Sequence, residues 1–175
     1  MRAVVQRITC ATVEVDGRVA ASSDGGFLVF VGVRRGDGSW EAEALANKVA
    51  NLRIVGDDGG KANLSLLETG GTALVVSQFT LLADCRRGRR PSFSDAADPP
   101  VAEALVDEFT RALEQSGVPT ASGIFGAHMV VSLVNDGPYT IVLDTEELSS
   151  PGRAKGARMH HHHPTGDPGL IVEER

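Results

Sequence analysis

With 175 residues, a formal net charge of −6, 42% apolar and 23% charged residues, the chain has the makeup of one ordinary water-soluble domain. That charge excludes a protein that coats nucleic acid indiscriminately, so any nucleic-acid contact must be local, and residues 86–90 hold the one dense basic run of the body. Two cysteines, Cys10 and Cys85, are too few for a disulfide framework and point to a reducing, cytoplasmic setting; the chain shows neither a secretory leader nor an apolar run near the ~20 residues of a membrane span.

Residues 3–8 read as a short apolar strand with Gln6 and Arg7 set into it. Residues 12–15 and 18–21 flank Asp16-Gly17, a strong hairpin signal. Residues 27–33 have no polar face and predict a central strand buried on both sides. A helix then opens with Ser39 as cap, Glu41 and Glu43 at its positive end, and Ala42, Leu45, Ala46 and Val49 recurring at helical spacing. Trp40 at its start reads as packing or a subunit contact rather than a ligand group. Residues 52–55 read as a strand ended by a glycine-rich turn, in which Asp57 and Asp58 lack the alternating oxygen ligands of a calcium loop.

Residues 73–76 and 79–83 are apolar, predicting a buried strand interrupted by Ser77, Gln78 and Thr80. Buried polar groups need partners, since an orphan costs roughly 1–3 kcal/mol. Either these three satisfy one another and nearby backbone, or they face a cavity where a ligand does so. Next come Arg86, Arg87, Arg89 and Arg90 around Gly88, which form either an anion site, with phosphate the natural anion, or a solvated charged loop. Asp98 as cap and Pro99 at the first position open a second helix, whose stripe is Ala102, Leu105, Val106, Phe109 and Leu113 and whose stop is Gly117 with Pro119.

A glycine-containing connection over 118–127 leads to a strand at 129–134, after which Asn135-Asp136-Gly137-Pro138 is expected to reverse the chain into another at 139–144. Six to eight strands with two helices predict an α+β fold: a mostly antiparallel β-sheet or barrel with two amphipathic helices packed outside, two helices being too few for the crossovers of a parallel sheet. Residues 1–146 make the domain. Residues 147–175 form a low-complexity tail, read as disordered, whose four consecutive histidines suit weak metal binding or resemble a truncated affinity tag; no catalytic role is assigned to it.

The chemistry is narrowed by what is missing. There is no Gly-x-Ser-x-Gly elbow, no His-Glu-x-x-His pair, no Walker phosphate loop and no cysteine cluster, so neither metal nor cofactor is expected. His128, the one histidine outside the tail, has no acidic neighbour in sequence to orient it. A Ser77 or Thr80 nucleophile would need an adjacent base, which Gln78 cannot be. Hydroxyls, an amide and backbone N–H groups can instead position a carbonyl and stabilise its developing charge, which suits an already activated ester.

Three motifs, Ser77-Gln78-Phe79-Thr80, Arg87-Gly88-Arg89-Arg90-Pro91-Ser92-Phe93 and Asn135-Asp136-Gly137-Pro138-Tyr139-Thr140, lie in an order and spacing that resemble the D-aminoacyl-tRNA deacylase family. The resemblance runs through the body as far as Leu143. It implies a homodimer of barrel-like subunits that hydrolyses the ester between a D-amino acid and the terminal adenosine of tRNA. Ser77, Gln78, Phe79 and Thr80 would form the catalytic wall, and Gly137-Pro138 a cis dipeptide lent to the partner's site to reject L-amino acids while letting glycine pass. Arg7 and Asn135 would support that dipeptide, Phe125 and Met129 line an adenosine pocket, and Arg86, Arg87, Arg89 and Arg90 meet tRNA phosphate. The tRNA's own 2′-hydroxyl would assist the attacking water. Tyr139 departs from the small β-branched residue usual after Gly-Pro, with an expected effect on packing at the subunit junction and none on the Gly137-Pro138 carbonyls; neither membrane nor DNA is implied as a partner.

Overall fold

A computed structural model describes residues 1–86 and 88–148. The expected disordered tail, apart from its first two residues, and Arg87 lie outside the described residues. In chain order the elements are β1 (Arg2–Val15), β2 (Arg18–Ser23), β3 (Gly26–Gly32), α1 (Ser39–Ala50), β4 (Val55–Gly56), β5 (Ala62–Leu64), α2 (Leu66–Thr69), β6 (Ala73–Ser77), a 3₁₀ turn (Phe79–Leu82), α3 (Pro99–Gln115), β7 (Thr120–Ser122) and β8 (Met129–Asp144). Strands run β2-β1-β3-β6-β7 in the main sheet, and β8 pairs with the other side of β1.

β1 is the axis of this sheet because both its ends are double-bordered. Residues 2–8 lie between β3 and the second half of β8, and residues 11–15 between β2 and the first half. A slip between Ile8 and Cys10 changes the inward parity, so Ala3 and Val5 join one core cluster while Ile8, Ala11 and Val13 join the other. The first cluster fills the space under α1 and α3, with Phe27, Val29 and Val75 meeting Leu45, Val49, Phe109 and Leu113. The second lies within the curl of the sheet, where Leu28, Leu74 and Val76 meet Met129, Val131 and Leu133. β3 and β6 therefore bury both faces, which is why residues 27–33 carry no polar stripe. The Asp16-Gly17 hairpin forms as expected, with positive φ at both residues and Val15 opposite Arg18.

Four expectations are corrected. The sheet is mostly antiparallel as expected, but two helices are not too few for parallel crossovers: β3–β6 and β6–β7 are parallel, and α1 and α3 supply one crossover each. Ser39 does not cap α1; Gly38 is the cap, and Glu41 accepts its N–H at 2.9 Å, while Asp98 caps α3 without a side-chain bond and instead meets Arg35 at 3.1 Å. The strand expected at 52–55 shrinks to a two-residue ladder between β4 and β5. Finally, Asn135 to Tyr139 do not reverse the chain: both halves of β8 run antiparallel to the same β1, and the segment between them leaves the ladder as an outward excursion.

Candidate active site

The expected buried strand through residues 73–83 stops at Ser77, and Phe79–Leu82 turn into one 3₁₀ coil. The corner has a seat. Gln78 N–H donates to Val31 O at 2.7 Å, and the coil settles on Gly32, where a Cβ would lie 2.5 Å from Leu82 Cδ2 and 2.8 Å from Gln78 O. Only a residue without a side chain lets the coil close on β3. Leu82 goes inward, while Phe79 is 57% exposed and Thr80 faces solvent. The Gln78 side-chain amide donates to Thr80 Oγ1, so two of the three polar groups singled out by sequence satisfy each other. In a coil of this kind the first N–H groups, those of Phe79 and Thr80, are not consumed by the coil itself. The result is an outward-facing set of hydroxyl, amide and backbone donors with an apolar ring beside them.

The arginine loop begins at this corner and returns to it. Asp84 and Ser92 exchange two backbone bonds, 2.7 and 2.9 Å, and close the loop at its base. Phe93 then meets Phe79 edge-on, with ring centroids 5.0 Å apart. Arg86 is not free for an anion. Its guanidinium forks onto Asp84 at 2.8 and 2.7 Å, and these bonds with the Arg86 N–H bring the Asp84 carboxyl down to about 2. Arg89 and Arg90 are exposed on the same loop. Asp84 was not picked out by sequence reasoning, although an acid two residues ahead of a basic run was the available signal, and Phe93 entered only as the end of a motif, without a role.

Gly137-Pro138, a cis peptide, occupies the excursion from β8. Between paired positions Gln6↔Thr140 and Ile8↔Asn135, β1 spends one residue, Arg7, and β8 spends four. That one residue ties the four down. Arg7 Nε lies 2.8 Å from the Asp136 carboxylate and 3.2 Å from Asp136 O; the two terminal nitrogens donate to Ile54 O at 2.6 Å and Gly137 O at 3.4 Å. The Tyr139 ring lies 4.3 Å below the guanidinium. Thr140 Oγ1 donates to Gln6 Oε1 at the foot of the excursion. Gly137 and Pro138 themselves are exposed, as is Asn135.

These two features do not meet within one subunit. Ser77 lies at the level of Val31, Ala3 and Leu143, whereas Arg7 and the excursion lie at the level of Phe27 and Ala73. Four residues of strand and three strand spacings separate them, on the order of 20 Å along the sheet. Phe125 packs against the helix-side cluster and Met129 against the inner one. His128 is exposed. Elsewhere, α1 and α3 flank an open groove of about 660 Å³ whose lining includes Trp40, Glu43, Asn47, Glu108, Arg111 and Ser116, the Ser116 hydroxyl donating to Ala112 O at 2.8 Å.

One ion cluster steadies the corner from behind. Arg2 donates to Leu81 O at 2.8 Å and to Asp144 at 2.8 Å, and Arg34 reaches Asp144 at 3.2 Å and Glu146 at 2.7 Å. Burial pushes the Asp144 carboxyl up, but bonds from the Glu146 N–H, Arg2 and Arg34 outweigh it and hold it below the ordinary range. Among the described residues no cluster of His, Cys, Asp and Glu is arranged to hold a metal ion, and no helix is long and apolar enough to cross a membrane.

Residues 4–144 match the family described as D-Tyr-tRNA(Tyr) deacylase. The chain is 58% identical over 148 residues to the D-aminoacyl-tRNA deacylase of Thermomicrobium roseum, covering 85% of this chain and 96% of that one. It is 54% identical over 159 residues to the protein of the same name from Chloroflexus aurantiacus, covering 91% and 99%. A solved structure of a c-Myc DNA unwinding element binding protein aligns with a TM-score of 0.77 at 36% identity, over 82% of this chain and 98% of that one. A probable eukaryotic D-amino acid tRNA deacylase shares the fold, with a TM-score of 0.70 at 17% identity, over 81% and 97%. A match across the whole sheet, at identities above one half, means that this chain belongs to the D-aminoacyl-tRNA deacylase family of hydrolases.

Proposed function

We propose that this protein hydrolyses the ester linking a D-amino acid to the 3′-terminal adenosine of tRNA, working as a homodimer in the cytoplasm and sparing L-aminoacyl-tRNA. The observation that carries the reading is the ~20 Å between the Ser77–Thr80 corner and the Gly137-Pro138 excursion. Both are outward-facing and each is incomplete alone, so a two-fold related copy that brings one onto the other makes a single site from two halves. β8 supports this, because among the described residues its outer edge is unpaired and its outward side chains Val130, Val134 and Val142 are each more than half exposed.

In this scheme the ester carbonyl sits against the corner. Water adds to the carbonyl carbon, the charge on the carbonyl oxygen is met by the N–H groups of Phe79 and Thr80, and the bond to the ribose oxygen breaks, with that oxygen taking a proton. The Gln78 amide and Thr80 hydroxyl position the substrate and do not attack it. No side-chain base is required, since the substrate is an activated ester, the ribose oxygen is its leaving group, and the neighbouring ribose 2′-hydroxyl can relay the proton from the attacking water to it. The main chain of Gly137-Pro138, lent by the other subunit, stands where an L side chain would project. A main-chain screen does not read side-chain identity, so glycyl-tRNA is also a substrate. Phe125 and Met129 flank the approach of the adenosine, Asn135 supports the excursion with Arg7, and Arg87, Arg89 and Arg90 face tRNA phosphate. Residues 1–146 suffice for this activity and residues 147–175 take no part.

The deciding experiment charges one tRNA with D-tyrosine, L-tyrosine or glycine and follows release without added metal. Release of D-tyrosine and glycine with L-tyrosine retained is expected. Binding of D-tyrosyl-tRNA without release would overturn the enzymatic reading. One structural relative is named for binding DNA, and duplex DNA added as competitor should leave the rate unchanged, since a net charge of −6 leaves only a short basic loop for nucleic acid.

A further inference from the structure

The Gly137-Pro138 excursion hangs on Arg7, and Arg7 in turn has a partner outside the hydrogen-bonding scheme. The guanidinium plane uses its edge to reach Asp136, Gly137 and Ile54, three groups on two separate segments of chain. The bonds to Asp136 and Ile54 are short and hold two points of the plane, whereas the third, to Gly137 O at 3.4 Å, is long enough to be lost with a small tilt about the line joining the other two. The Tyr139 ring lies under the face of the same guanidinium at 4.3 Å, and it also packs on the helix-side core through which Ile141 and Leu143 anchor β8. The Arg7 side chain is only 15% exposed, so the contact is largely shielded from water, and the ring follows directly after the dipeptide in sequence.

We infer that Tyr139 is a positioning residue for substrate selection: its ring sets the tilt of the Arg7 guanidinium and through it the placing of the Asp136-Gly137 main chain. The inference rests on the deacylase reading above, because the excursion is what that reading assigns to discrimination. Tyr139 touches no reacting atom. Its effect passes through Arg7, and it depends on an aromatic face rather than on the phenol hydroxyl or on volume alone.

Three variants of the full-length protein separate these elements: Tyr139→Phe keeps the ring, Tyr139→Leu keeps apolar bulk without a π face, and Arg7→Lys keeps the charge without the planar fork. The rates on D-tyrosyl- and L-tyrosyl-tRNA give a discrimination ratio. Tyr139→Leu is expected to lower it about 10-fold, as suits a partly desolvated cation–π contact, Tyr139→Phe to restore it to within about 2-fold of the original, and Arg7→Lys to lower it at least as far as Tyr139→Leu. Hydrogen exchange of the Arg7 Nε–H, followed by NMR, supplies a second readout that needs no substrate. It should quicken about 10-fold in Tyr139→Leu and stay slow in Tyr139→Phe. Equal exchange in the leucine and phenylalanine variants would overturn the inference, whatever the substrate proves to be. Altered exchange with an unchanged ratio would also overturn it, by leaving Tyr139 a structural residue. Failure of the original protein to release D-tyrosine would instead sink the deacylase reading, while the exchange measurement would still test the hold of Tyr139 on Arg7.

Discussion

The corner at residues 77–82 and the excursion at residues 136–139 both leave a regular strand, but they are held in opposite ways. The corner is seated from beneath by close packing: Gly32 makes room, Leu82 fills the space, and Gln78 N–H bonds to Val31 O. Its outward side chains are thereby left free of structural duty. The excursion has a packed floor only under Tyr139. It is held from the side by Arg7, whose contacts with Asp136, Ile54, Gly137 and Tyr139 replace the ladder bonds that β8 gives up. A packed seat separates stability from chemistry, whereas an ionic tether joins geometry to one replaceable side chain.

The sharpest test of the difference is at the corner surface. Thr80→Val and Gln78→Leu, which alter only outward groups, should each reduce the hydrolysis rate about 100-fold with a melting temperature within about 2 °C of the original. Parallel loss of folding would mean that these groups are structural after all. Asp144→Asn comes next. It strips Arg2 and Arg34 of their shared carboxylate and loosens the hold of Arg2 on Leu81 O, with an expected cost of about 2–3 kcal/mol in denaturant titration. The same carboxyl sets an acid limit. Because its folded pKa lies below its unfolded value of about 3.9, its contribution is whole above that pH and disappears as pH falls through the lower folded value. Melting temperature against pH should therefore fall less steeply below about pH 4 in the asparagine variant.

Gly32→Ala probes the seat itself. With Leu82 Cδ2 and Gln78 O inside contact distance of the new Cβ, a loss of about 1–2 kcal/mol is expected together with a fall in activity, the paired outcome that the Thr80 variant should not give. The smallest effect concerns the loop. Arg90→Ala should weaken tRNA binding a few-fold and flatten its salt dependence by about one unit of log–log slope. Removing the ion pair as a whole, Arg86→Ala with Asp84→Asn, should do neither, because the pair carries no net charge.

Much of the fold could be read from the chain. The Asp16-Gly17 hairpin, the stripes of α1 and α3 and the two-sided burial of residues 27–33 follow from local rules of turn chemistry and periodicity. The corner was misread as continuing strand because Phe79, Leu81 and Leu82 are as apolar as a strand requires; the turn depends on Gly32, some fifty positions earlier, leaving room for it. The reversal expected at Asn135-Asp136-Gly137-Pro138 failed for a related reason. Those residues are good at leaving a strand, and whether the chain turns back or resumes its direction was decided by β1, long enough to pair with both halves of β8.

What the sequence determined alone was therefore local: which segments are amphipathic, where turns are permitted, and which polar side chains interrupt apolar runs. What only the tertiary structure decided was company: that Arg86 belongs to Asp84, that Arg7 reaches Asp136, Ile54, Gly137 and Tyr139 at once, and that the corner and the excursion lie at different levels of the sheet. Periodicity and propensity act over a few residues, while pairing across a sheet and the ion pairs it permits join residues more than a hundred positions apart.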